Sequence, residues 1–219
     1  GISWRVLLND LESWTNVSDT RDAPPKATSY RQWGEALQHF AQHTIPEMEK
    51  RFWLETIAQK STLPVDQKGS RRPKATIKGI TIELERDLTE LLLKEMHTAF
   101  NTDINDILLS ALALALYHWT EQQTTVIGLE GHGREHIAEG IDITDTVGWF
   151  TSIFPVPLRV PEGYTLGTLI KATKEQLRKT PRKGLGFGCL KYYSDDPKIR
   201  EQLRETPWEV TFNYLGSAD

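Results

Sequence analysis

The chain has 219 residues, 38% of them hydrophobic and 26% charged, with a net charge of −4 at pH 7. That length suits one large domain or two small ones, and the composition suits a soluble globular protein. The negative balance and a pI near 5.9 argue against a general nucleic-acid binder. The lone cysteine, Cys189, excludes an intrachain disulfide and points to a reducing compartment, the cytoplasm.

Taken in order, residues 1–14 place Ile2, Val6, Leu7, Leu11 and Trp14 close to a helical stripe. Residues 15–28, with Asp19, Asp22 and Pro24-Pro25, read as a linker. Ser29 is a candidate N-cap for a helix carrying Tyr30, Trp33, Leu37, Phe40 and Ala41. Pro46 ends that helix or opens the next, over residues 47–59, where Phe52, Trp53, Ile57 and Ala58 share a side. Such aromatic stripes are read as core rather than as a ligand box. His39 and His43 have a spacing that can hold a metal, but no third ligand is in view and no metal is expected. Residues 60–74 form a second linker, whose basic run could touch an acidic partner or be a solvated loop.

From residue 75 the pattern changes. Ile80, Ile82 and Leu84 alternate as in a strand, and Asp87-Leu88-Thr89-Glu90 opens a helix with Leu88, Leu91, Leu92, Met96 and Phe100 on its apolar face. Asp103 or Asn105 can cap a helix over residues 104–122 that is apolar almost all round, hence packed on several sides. Its apolar run is too short for a bilayer, which needs about 20 residues, so no membrane partner is expected. Residues 126–129 and 147–156 read as strands, and residues 166–180 as a helix stopped by Pro181. Gly184, Gly186 and Gly188 read as a mobile loop; a dinucleotide fingerprint is rejected because a helix, not a strand, precedes it. A helix broken at Pro197 and a closing strand over residues 208–215 complete an α/β layer arrangement, with helices on a mixed sheet.

The chemistry-bearing stretch lies at residues 126–157. A strand empties into Glu130, His132, Arg134, Glu135 and His136, interleaved with Gly131 and Gly133, which let the backbone turn and approach a ligand. Carboxylates and imidazoles at a strand exit fit proton chemistry; a solvated loop with an Arg134–Glu135 pair fits the same spacing. Cys189 has no neighbouring base and is read as a buried thiol rather than a nucleophile.

Three motifs occur in order: Glu130-Gly131-His132-Gly133-Arg134-Glu135, Thr146-Val147-Gly148-Trp149-Phe150-Thr151 and Phe212-Asn213-Tyr214-Leu215-Gly216. Together they resemble the epimerization domains of nonribosomal peptide synthetases, a branch of the condensation-domain superfamily. The opening Gly1-Ile2-Ser3-Trp4-Arg5 resembles the helix that follows that family's His-His-x-x-x-Asp-Gly motif. Gly1 would match its last glycine, and the histidines would precede residue 1. The start also lacks the basic and apolar regions of a secretory signal.

The resemblance implies a chloramphenicol-acetyltransferase-like fold. Residues 1–59 would end the N-terminal lobe, 60–75 would be the linker, and 76–219 would be a truncated C-terminal lobe. It implies inversion of the Cα of an aminoacyl or peptidyl thioester on a carrier protein's phosphopantetheine arm. No cofactor would be bound directly, and the partners would be the carrier protein and neighbouring synthetase modules. By that resemblance Glu130 is the catalytic carboxylate, opposite a histidine of the upstream motif. Asn213, Tyr214 and Trp149 contact substrate, and His132, Arg134 and Glu135 stand behind them. Glu130, at the exit of a buried strand, is also placed to hold and return a proton on the residue pattern alone. Two other readings remain: a peptide-bond-forming condensation domain, which usually has Val-Gly-Phe-Phe-Val-Asn-Thr at residues 147–153, and a noncatalytic fragment that docks carrier proteins.

Overall fold

The computed structural model describes residues 2–16, 27–65, 78–95 and 101–216. By its internal contacts the chain divides into two compact units. The first comprises Gly1–Lys60, Val126–Val156 and Arg178–Asp219; the second comprises Ser61–Thr125 and Pro157–Leu177. Helices are numbered along the chain, so each unit holds a non-consecutive set.

In the first unit, helix α1 (Ile2–Asn16) forms where the apolar spacing predicts it. Val6 is buried, but Trp4, Leu8 and Leu11 are exposed. Helix α2 (Tyr30–His43) starts at Ser29, whose hydroxyl accepts from the Gln32 amide while Gln32 reaches back to the Ser29 amide. That reciprocal cap satisfies two amides that the first helical turn leaves without partners. Helix α3 (Glu47–Ala58) follows Pro46, whose missing N–H costs nothing at a helix start. Trp53 is fully buried, edge-on to Phe154 and Phe187, with ring centroids 6.2 and 5.5 Å away. Trp33, Phe40 and Trp53 are core, as their spacing predicts, but Tyr30 is 51% exposed and α3 buries Glu49 and Thr56 beside Trp53 while Ala58 is exposed.

Among the described residues a three-stranded sheet has the order β2–β1–β3, with β1 (Thr124–Gly131), β2 (Ser152–Arg159) and β3 (Thr211–Phe212). Strands β1 and β3 are parallel, with Gly128 opposite Thr211 and Leu129 opposite Phe212. The closing strand is therefore much shorter than residues 208–215. The second strand begins at Ser152, not at Val147, because the backbone at Gly148 and Trp149 bonds to side chains, those of Ser3 and Tyr30, instead of to a ladder.

The glycine-rich stretch is the clearest departure from expectation. It is not a loop: a 3₁₀ turn (Pro181–Gly184) leads into a buried helix, α7 (Leu185–Tyr193). A Cβ on Gly184, whose φ is +88°, would lie 1.9 Å from the Phe154 ring, and one on Gly186 would lie 1.9 Å from the Glu49 carboxylate. Gly184 and Gly186 are there for close packing, not for mobility; Gly188 has open space around its would-be Cβ. Helix α8 (Pro197–Gln202) is capped by Asp196, which accepts from the Lys198 amide.

Buried Glu49 pairs with Arg182, whose guanidinium also lies over the Phe40 ring. Burial pushes the Glu49 carboxyl above its ordinary value, while Arg182 and the Trp53 indole pull against it. Cys189 is buried, and its thiol is pushed up to about 12 by burial and then by the Glu49 charge. That is an inert thiol, as expected. His39 and His43 stack with centroids 4.5 Å apart. No group of three potential metal ligands exists among the described residues.

The second unit is built on helix α5 (Ile104–Thr120), which buries Ile107, Leu109, Ala113 and Leu116 on one half of its surface; Ala111, Ala115 and Trp119 are exposed on the other, so it is not packed all round as expected. The Asp103 amide donates to buried Asp106 at its start. Helix α6 (Leu166–Lys179) contributes Leu169, Ile170 and Thr173 to the buried core. Residues 78–85 do not form the strand expected from Ile80, Ile82 and Leu84. They lie outside any helix or ladder, with Ile80 89% exposed. Alternation makes a strand only where a neighbouring backbone supplies hydrogen bonds, and none is paired with this segment among the described residues. A short α-helix, α4 (Arg86–Glu90), then widens into a π-helical turn (Leu91–Glu95); Met96 and Phe100 lie outside the described residues. No helix among the described residues is long and apolar enough to cross a membrane.

Candidate active site

The parallel register of β1 and β3 decides what meets at the site. With Leu129 opposite Phe212, the next residues, Glu130 and Asn213, emerge side by side at the carboxyl ends of the strands. Those ends are where open parallel sheets bind ligands. Asn213 Nδ2 donates to Glu130 Oε2 at 2.7 Å, across 83 positions of sequence. The carboxylate is half-buried, so it is less enclosed than a strand-exit residue was expected to be. It keeps a second oxygen for other work.

Glu130 and Asn213 line an open pocket of about 500 Å³ together with Tyr214, Trp149 and His132, all within the first unit. Trp149 is 80% exposed and Tyr214 39% exposed, so both present ring surface rather than core packing. The pocket also receives Ile2, Ser3 and Trp4 from α1, and Leu215. No local pattern signals that the first turn of α1 reaches this site, because the contact of Ser3 with Arg134 spans 131 positions.

His132 Nδ1 accepts from the Arg134 amide at 3.0 Å, and its Nε2 faces Glu135 Oε1 at 3.1 Å. With Nδ1 occupied as an acceptor, the proton belongs on Nε2, facing the carboxylate. Glu135 also faces Lys183 Nζ at 3.5 Å, so its partners are His132 and Lys183, not the expected Arg134. Arg134 points elsewhere. Its guanidinium donates to the carbonyls of Ile143 and Thr146, reaches Ser3 Oγ, and stacks 4.0 Å over the Phe150 ring. Burial lowers its pKa, with nearby Asp145 opposing. Arg134 thus ties down residues 143–150. His136 is exposed and does not line the pocket.

Gly133 departs from its expected role of meeting a ligand. At φ +68°, a Cβ there would lie 1.6 Å from the Phe150 carbonyl oxygen. Its close approach is to the protein's own backbone.

The condensation domain family model matches residues 1–219. The chain belongs to that family. Of the relatives of this condensation-family domain, tyrocidine synthase 1 of Brevibacillus parabrevis is 41% identical over 226 residues. That match covers 100% of this chain and 21% of the relative. Surfactin synthase subunit 1 of Bacillus subtilis is 39% identical over 225 residues, covering 100% of this chain and 6% of the relative. Among solved structures, the epimerization domain from the third module of tyrocidine synthetase B aligns with a TM-score of 0.73 at 35% identity. It covers 89% of this chain and 44% of that one. The first condensation domain of the calcium-dependent antibiotic synthetase aligns at 0.65 with 16% identity, covering 100% and 47%; at that identity it speaks to the fold alone. This condensation-family domain thus has the expected chloramphenicol-acetyltransferase-like α/β fold. It spans less than half the length of these relatives.

Proposed function

We propose that this domain inverts the Cα of an aminoacyl or peptidyl thioester carried on a carrier protein's phosphopantetheine arm, as part of nonribosomal peptide synthesis. The observation that carries the reading is the Glu130–Asn213 pair, 2.7 Å apart, opening onto a pocket large enough for an acyl thioester. The 35% identity to a solved epimerization domain also supports it.

The chemistry follows from the acidity of the substrate. A thioester carbonyl acidifies its Cα–H only weakly, so a base must take the proton and donors must hold the enolate oxygen. Glu130 Oε1, the oxygen not engaged by Asn213, takes or returns the proton on one face. Asn213 orients the carboxylate, and the Tyr214 phenol can donate to the enolate oxygen. Trp149 offers a flat apolar wall to the acyl group. The opposite face needs a second proton carrier, and the family resemblance assigns it to the histidine motif upstream of residue 1. His132, Arg134 and Glu135 shape the loops around the pocket and do not touch the reacting carbon. In the same reading, residues 1–59 end the N-terminal lobe and 76–219 belong to the C-terminal lobe.

The test loads a carrier protein with an L-aminoacyl group, adds the full natural chain carrying these residues, and reads the chirality of the released amino acid. A mixture of D and L forms supports epimerization. Retained L chirality, with amide product formed only when a second acylated carrier is added, replaces it with condensation.

A further inference from the structure

The loop that carries Trp149 is pinned by two hydroxyls, neither of which takes part in the proton chemistry. Ser3 Oγ donates to the Gly148 carbonyl at 2.9 Å and accepts from the Gly148 amide at 3.2 Å. It also lies 3.5 Å from Arg134 Nη2. One hydroxyl offers one donor and two acceptor sites, so Ser3 is fully used, and both backbone groups of one glycine are its partners. On the next residue, Tyr30 OH donates to the Trp149 carbonyl at 2.6 Å. Arg134 fixes the preceding turn through Ile143 and Thr146. The backbone on both sides of the Trp149 side chain is therefore held, while the indole itself is 80% exposed.

Trp149 borders two spaces. One is the pocket of Glu130. The other is a cavity of about 300 Å³, lined by Tyr30, Trp33, Leu37, Ile153, Tyr192 and Tyr193, with Trp149, Phe150 and Thr151 common to both. No charged side chain lines the second space among the described residues.

We propose that Ser3 and Tyr30 are positioning residues: their hydroxyls hold Trp149 where it borders both cavities, and so set how large an apolar acyl side chain the site accepts. Acting through Trp149, they touch no reacting atom. The proposal rests on the reading that the pocket binds an acyl thioester. Tyr30→Phe isolates the hydroxyl, because the ring keeps its edge-on packing against Phe150, 5.2 Å away.

The experiment labels the full natural chain with 5-fluorotryptophan and assigns the Trp149 fluorine signal with Trp149→Phe. In Tyr30→Phe and in Ser3→Ala that signal is expected to shift or broaden, while those of the tryptophans away from the substituted residue hold. Ser3→Thr, which keeps a hydroxyl, restores it. On carrier-bound acyl substrates, KM for a small apolar side chain rises about three- to tenfold with kcat within about twofold, the range of one lost hydrogen bond. The preference shifts toward bulkier side chains. An unchanged Trp149 signal in both variants overturns the proposal. So does a common shift of all the tryptophans, which is general loosening. If the unaltered chain inverts no substrate, the epimerase reading fails, but the fluorine result still decides whether the hydroxyls position Trp149.

Discussion

Replacing Gly133 by alanine tests how the site's loop is built. Gly133 sits at φ +68°, and its missing Cβ would fall 1.6 Å from the Phe150 oxygen and 2.6 Å from the Phe150 carbonyl carbon. Gly140 has nearly the same backbone, at φ +75°, but nothing within 4 Å of its would-be Cβ. Both variants incur the left-handed penalty of about 1–2 kcal/mol. Only Gly133→Ala adds a backbone clash, worth about 1–3 kcal/mol by analogy with overpacked cores. The expected losses are therefore about 2–5 kcal/mol for Gly133→Ala and about 1–2 kcal/mol for Gly140→Ala. Urea denaturation of both, with unchanged slope, measures the difference. Because Phe150 must shift, Gly133→Ala also displaces Trp149 and Thr151 and weakens substrate binding, whereas Gly140→Ala does not. Equal losses in the two variants would refute the claim that Gly133 exists for close approach to Phe150.

The Glu49–Arg182 pair gives a pH-dependent outcome. Burial sets the Glu49 carboxyl above its unfolded value, so the folded state holds the proton longer and stability falls as pH rises between the two values. Arg182→Met extends that window upward. The variant is expected to lose about 2–4 kcal/mol at pH 8, discounted for the partial exposure of Arg182, and to recover part of it at pH 5. Thermal melts at the two pH values check this, and a pH-independent loss contradicts it. Cys189, pushed up to about 12 from 9, should react with a thiol reagent at pH 8 roughly a thousandfold more slowly in the native state than in urea. Equal rates would place the thiol at the surface. Asn213→Ala removes the donor to Glu130, so Cα proton exchange should slow about 10- to 100-fold with little change in melting, because Asn213 is exposed.

Much of this architecture is readable from local pattern. Ser29 announces the start of α2, though not its reciprocal partner Gln32, and Trp53 announces a core. What fails to read locally depends on distant partners. Ile80 and Ile82 have strand alternation but no ladder among the described residues. Gly184 and Gly186 have loop composition, yet Phe154 and Glu49 press against their backbone where a turn enters a buried helix. At the site, the motifs singled out Glu130 and Asn213, and the parallel register explains why they meet. The partners of Glu135 and the reach of Ser3 to Gly148 are invisible in sequence, since each joins segments distant along the chain or turns a side chain away from its neighbour.

The central claim is that Glu130 moves a proton to and from the Cα of a tethered acyl group. The most direct measurement follows deuterium uptake at that carbon in D₂O, using an aminoacylated carrier protein and the full natural chain. Glu130→Gln retains an oxygen to accept from Asn213, so the fold and the pocket should persist while the base is lost. Uptake in the unaltered chain that falls about 10²- to 10⁴-fold in Glu130→Gln, with carrier binding unchanged, is the predicted result. Uptake at the same rate in both would assign the chemistry to another residue and contradict the account.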